Sequence, residues 1–224
     1  MIKTILFDRD ETLGYSDQAV YLEAAKHVQH LHPELDTRHI LKSMQQQWAK
    51  SDADWPKLRT HEDEELFWQV YCQELSERMG IPLSTAQEIC EYFPYWKFLR
   101  SYEDTEQVLI TLREHGYTTA ILSNTLPSMT PTLVALGIEG LIDHAFASCS
   151  LGVHKPDLEV FSRVAELLGN QPSEVLFIDD KLENVAAAQQ AGMQALWIDR
   201  AHKDQNAIHD LHGVLDHLGL TVKG

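Results

Sequence analysis

A chain of 224 residues, 44% hydrophobic and 23% charged, has the composition of a globular protein able to bury a real core. Its formal charge of −16 provides no basic footprint for nucleic acid, and no apolar run approaches the roughly eighteen residues that would span a bilayer. Three scattered cysteines (Cys72, Cys90 and Cys149) suit neither a disulfide framework nor a zinc site, and the first residues resemble no targeting signal, so a cytoplasmic protein is expected.

The first predicted element is a strand. Ile2, Ile5, Leu6 and Phe7 form an apolar run that stops at two carboxylates, Asp8 and Asp10, with Thr12 following at the same spacing. An apolar strand ending in acids reads as a buried parallel strand delivering carboxylates to its C-terminal edge, where open α/β sheets hold their ligands.

From about 16 to 98 no strand pattern occurs. Val20, Ala24, Val28 and Leu31 mark one helical stripe, and Ile40, Leu41, Met44 and Trp48 a second. Leu66, Phe67, Val70, Tyr71 and Leu75 mark a third, ending at Gly80. Ser84 with Gln87 predicts a capping box opening a fourth helix, which Pro94 closes. From about 101 onward helices and strands alternate. Helices are expected at 104–115, 131–136, 156–168, 182–191 and 207–218, and strands at 119–122, 145–147, 175–178 and 195–198. The expected fold is a doubly wound, Rossmann-like parallel α/β core, residues 1–15 and 99–224, carrying an inserted all-helical domain at 16–98.

Four polar groups should then share one sheet edge: Asp8/Asp10/Thr12, Ser123/Asn124, Lys155 opening a helix, and Asp179/Asp180. Each alone has an ordinary explanation as a turn, a helix start or an N-cap. Their convergence does not. Four ionised carboxylates would repel one another without a cation, and an all-oxygen site suits Mg²⁺. The twelve histidines lack the paired helical spacing of a metal site. With Mg²⁺ and Lys155 present, a bound phosphate dianion still leaves excess negative charge, so one acid should hold a proton and be able to serve as a general acid. These parts suit attack of one carboxylate on phosphorus.

The chain resembles the haloacid dehalogenase superfamily. Asp8-Arg9-Asp10-Glu11-Thr12-Leu13 is similar to its first motif and Ile121-Leu122-Ser123-Asn124-Thr125 to its second. His154-Lys155-Pro156-Asp157 resembles the third, and Phe177-Ile178-Asp179-Asp180-Lys181-Leu182-Glu183-Asn184 the fourth. The fourth is of the Asp-Asp type, similar to that of the phosphatase domain of soluble epoxide hydrolases. The resemblance implies a Mg²⁺-dependent phosphatase acting on a small phosphorylated metabolite. Asp8 would be the nucleophile forming a phosphoaspartate and Asp10 the general acid/base. Ser123, Asn124 and Lys155 would bind phosphate. Asp8, Asp10 through its backbone carbonyl, and Asp180 would hold the metal, with Asp179 and Asn184 behind them. The helical insert would be the cap that selects substrate. Its Trp48, Trp55, Lys57, Arg59 and Trp68 are candidates for a pocket, although aromatic residues at helical spacing more often belong to a core. A 2-haloacid dehalogenase, a phosphomutase and a non-catalytic binding protein are the alternatives. Glu11 departs from the family's usual glycine, and a position in solvent or at the hinge is expected for it.

Overall fold

The computed structural model describes residues 1–51 and 53–221. Position 52, inside the expected helical insert, and 222–224, at the end of the expected core segment, lie outside the described residues.

Five strands form one parallel sheet in the order β5-β4-β1-β6-β7: β1 (Thr4–Phe7), β4 (Thr118–Ser123), β5 (His144–Ala147), β6 (Val175–Asp179) and β7 (Gln194–Trp197). The central strand β1 is buried on both faces, which explains its uninterrupted apolar run. Ile5, Phe7, Ile121 and Ile178 face one layer with Leu109, Leu112 and Leu215. Leu6, Leu122 and Phe177 face the other with Phe161 and Ala188. This is the doubly wound α/β architecture expected, with the helices Thr105–Glu114, Leu158–Leu167, Leu182–Gln190 and His212–Leu218 covering the sheet.

The register decides where the chemistry sits. Phe7 pairs with both Ile121 and Ile178, so Asp8 comes level with Asp179, the last residue of β6, and one position short of Ser123, the last of β4; Asp8 N–H donates to the Ile178 carbonyl at 2.8 Å. The residues that follow each strand are delivered to one edge.

Among the described residues of the segment 16–98, four α-helices follow one another: α1 (Gln18–Leu31), α2 (Thr37–Ser51), α3 (His61–Met79) and α4 (Leu83–Tyr92). They pack around an apolar cluster of their own that includes Val28, Ile40, Leu75, Met79 and Ile89. Cys72 and Cys90 are free thiols in contact there at 2.9 Å.

Several local expectations are corrected. Leu66 and Val70 are 61% and 58% exposed, because α3 turns Glu64, Cys72, Leu75, Ser76 and Met79 inward instead. That stripe begins at a carboxylate, which no hydrophobic pattern selects. Ser84 does not cap α4, which starts one residue earlier behind Pro82 without a side-chain cap. The helix expected from Pro156 begins at Leu158, where Asp157 accepts from Glu159 N–H; the Lys155–Pro156 bond is cis. The closing helix begins at His212, because the Asp199 carboxylate gathers the N–H groups of Ala201, Lys203 and Asp204 into a loop. A short antiparallel pair, β2 (Gly14–Ser16) with β3 (Leu99–Ser101), was not expected and ties the two ends of the helical segment together.

Candidate active site

Lys155 is the centre of the charge network. Its side chain is 2% exposed, and its ammonium donates to Asp8 Oδ1 at 2.5 Å and Asp179 Oδ2 at 2.7 Å. Burial disfavours the ammonium, but attraction to Asp8 and then Asp179 outweighs it and raises the Lys155 pKa. The loop holding this lysine is clamped by Asn124, which accepts from Lys155 N–H at 3.1 Å and donates to the Lys155 carbonyl at 2.9 Å. Asn124 thus spends both ends of its amide on the lysine backbone.

Asp179 is fully buried and faces inward. Besides Lys155 it accepts from Asn184 Nδ2 at 2.9 and 3.0 Å and from Lys181 N–H at 2.8 Å. Its neighbour Asp180 is half-buried, and burial followed by repulsion from Asp179 raises its carboxyl to about 6. Carboxylate oxygens of Asp8, Asp179 and Asp180 can all lie within 4.8 Å of one another. This oxygen-only donor set fits a hard divalent cation such as Mg²⁺. Asp10 contributes no carboxylate to the triad.

The two acids of the first motif are electrostatically opposite. Asp8 is raised to about 7, first by burial, against the attraction of Lys155, and further by repulsion from Asp179 and Asp10. Asp10 is lowered, because the charge and hydrogen bonds of Arg9 overcome the cost of burial. Arg9 Nε and Nη2 grip the two Asp10 oxygens at 2.9 and 2.8 Å, and Nη2 also donates to Thr125 Oγ1 at 3.1 Å. The charge count called for one protonated acid; in the free protein the acid poised to hold that proton is Asp8.

Ser123 Oγ and Thr12 Oγ1 are buried without a hydrogen-bond partner among the described residues. Of the two, Ser123 lines the same cavity as Asp8, so its hydroxyl is available to a ligand there. Ser123, Asn124, Lys155, Asp8, Asp10 and Asp180 line a polar cavity of about 140 Å³. The sheet edge therefore brings together the motif residues expected there, with Asn184 also lining the cavity and Asp179 behind its surface.

Glu11 takes φ +56°, the left-handed conformation that glycine adopts freely. Its side chain is exposed and accepts from Tyr102 Oη at 2.9 Å, just past β3. Glu11 also lines the small polar cavity, at its exposed rim beside the β2–β3 pair. Of the candidates in the helical segment, Trp48 and Trp68 line a larger cavity beside Arg9 and Asp10; Trp55 instead packs edge-on against His154. Lys57 pairs with Asp54 and Arg59 bonds the carbonyls of Pro56 and Leu58. The residue that sequence reasoning missed is Arg9. Its signal was in view, since a base placed between two acids can reach either.

Lys155→Met should lower unfolding free energy by about 3–5 kcal/mol in urea titrations at pH 8, since it leaves two buried carboxylates uncompensated. A loss under about 1 kcal/mol would mean that the acids relax into solvent.

A model of the haloacid dehalogenase-like hydrolase family matches residues 2–192. Phosphatase MT3486 of Mycobacterium tuberculosis (strain CDC 1551 / Oshkosh) is 29% identical over 142 residues, covering 61% of this chain and 65% of that protein. Glyceraldehyde 3-phosphate phosphatase of Methanopyrus kandleri is 26% identical over 208 residues, covering 89% of this chain and 85% of its own. Among solved structures, a dehalogenase shares the fold with a TM-score of 0.67 and 18% identity, covering 100% of this chain and 98% of that one.

Proposed function

The chain belongs to the haloacid dehalogenase-like hydrolase family, and from that premise we propose that it is a Mg²⁺-dependent phosphatase of small phosphate monoesters, working through a phosphoaspartate on Asp8. The observation that carries this reading is the second acid. Asp10 stands beside a cavity of phosphate size whose rim holds Asp8, Asp180 and Lys155, whereas displacement of halide from a haloacid needs neither a second acid nor an acidic triad. Two relatives named as phosphatases support the same class.

In the proposed reaction a phosphoryl group enters the polar cavity. Ser123 Oγ and the Lys155 ammonium take its oxygens, with the lysine loop kept in place by Asn124. Asp8 Oδ forms a bond to phosphorus as the bond to the leaving oxygen breaks, and Asp10 gives that oxygen a proton. A water then attacks phosphorus, surrenders its proton to Asp10, and the acyl phosphate bond breaks to restore Asp8. Asp8, the Asp10 backbone carbonyl and Asp180 would hold Mg²⁺, with Asp179 and Asn184 behind. When bound, the ion would offset the repulsion between carboxylate and phosphate. Arg9 keeps Asp10 ionised in the free protein, so the proton must reach Asp10 when the dianion arrives and adds negative charge beside it.

Residues 16–98 act as a cap domain on a core of 1–15 and 99–224. In support, Glu64 of α3 accepts from Ser128 N–H at 2.8 Å and Ser128 Oγ at 2.6 Å, across the junction. No helix among the described residues is long and apolar enough to cross a membrane, and three free thiols agree with a cytoplasmic location.

Phosphate release from p-nitrophenyl phosphate should require Mg²⁺ and vanish with EDTA. Chloride release from 2-chloropropionate without metal, or no phosphate release from any ester, would overturn the reading.

A further inference from the structure

The polar cavity is the smaller of two that meet at Asp10. The other encloses about 470 Å³, and Asp10 lines both. Its walls carry the rings of Trp48, Trp68, Tyr71 and Tyr95, and its floor reaches Met44, Leu75 and Ile89 in the apolar interior of the helical segment. That volume lies in the range that encloses an organic ligand of substantial size.

Charge and hydrogen bonding restrict what can fill it. Arg9 is the one basic residue among the described residues lining the cavity, and it is already bidentate on Asp10. Glu91 is exposed at the lining, so a second anionic group on the substrate would meet repulsion without a matching cation. Tyr95 spends its hydroxyl on the Ser128 carbonyl at 2.6 Å, and Tyr21 is bonded to Ser16. A polyol would therefore surrender its hydration against walls with few free partners. A cation is also disfavoured. Neither carboxylate of the lining is a free buried partner for it, since Asp10 is already held by Arg9 and Glu91 is exposed, while the near-parallel rings of Trp48, Trp68 and Tyr95 (18–22°, centroids 5.7–6.5 Å apart) give an apolar body an extended surface to lie against.

Resting on the phosphatase reading above, we infer that this cavity takes the leaving-group half of the substrate, and that the substrate is the phosphate monoester of an uncharged apolar alcohol of about ten carbon atoms or more. Asp10 stands where the two halves join. A carboxyl there reaches the oxygen that must be protonated as its bond to phosphorus breaks, while the apolar body lies along the stacked rings.

The test compares kcat/KM of the Mg²⁺-loaded protein for 2-(2-naphthyl)ethyl phosphate, glycerol 3-phosphate and phosphocholine. All three release a primary alcohol, so they differ in the body and not in the reacting bond. Acetyl phosphate, whose leaving group needs no large cavity, reports phosphoryl transfer by itself. The expected result is a preference of about 100-fold for the naphthyl ester over both others. Trp48→Ala, a substitution at a residue 39% exposed, should raise KM for that ester by about tenfold. The wild-type comparison stands even if this variant does not fold. Equal or better turnover of glycerol 3-phosphate or phosphocholine would overturn the assignment of substrate and leave the phosphatase reading intact. Absence of phosphate release from every ester, acetyl phosphate included, would overturn both.

Discussion

Asp8→Asn is expected to reduce phosphate release by at least about 10⁴-fold, because an amide cannot form the acyl phosphate. The same change should leave the metal-free protein as stable as before, or more so. Asp8 is a buried acid raised to about 7, so its ionised form is a cost to the folded state at pH 8 that asparagine does not carry. Lys155 keeps Asp179 as a partner at 2.7 Å. The melting temperature should be unchanged or should rise by about 2–4 °C per kcal/mol of relieved burial. Calorimetry without metal at pH 8 checks this. A fall of more than several degrees would show that Lys155 depends on the Asp8 charge, and residual turnover near wild type would remove Asp8 from the reaction.

The second large effect is on metal affinity. A carboxylate must lose its proton to ligate a cation, and the raised Asp8 keeps its proton until about pH 7 and Asp180 until about pH 6. Mg²⁺ affinity should therefore be flat above about pH 7, fall about tenfold per unit from pH 7 to 6, and fall more steeply below. Titration calorimetry in buffers of different ionisation enthalpy would read the released protons directly. For stability the sign follows from the same linkage. The folded metal-free chain holds the Asp8 proton between about pH 4 and 7 while the unfolded chain has lost it, so this group's contribution declines as pH rises through that window and is level above it. Affinity independent of pH from 5 to 8 would mean that Asp8 is not a ligand.

Much of the site was legible because parallel sheets collect strand ends on one edge. Asp8, Ser123 and Asp179 each follow or close an apolar strand, so convergence could be expected before any coordinates. Lys155 was harder, since it ends no strand; its position depends on a loop held by Asn124, 31 residues away in sequence. The α3 stripe was misjudged because its inward face begins with Glu64, a carboxylate buried by a partner in a distant loop. The short β2–β3 pair left almost no periodicity to detect, being three residues on each side.

By itself the sequence determined the α/β class, the inserted helices and which acids meet, because hydrophobic period and the residue types at strand ends are local properties. Only the tertiary structure decided how those acids differ. Arg9 lies beside both in the chain, yet its guanidinium grips Asp10, and burial next to Asp179 raises Asp8, so two carboxylates one residue apart titrate in opposite directions. The same holds for the aromatic residues of the helical segment. Their spacing could not distinguish core from pocket, because that depends on whether packing leaves a space beside them, and here it leaves one that ends at Asp10.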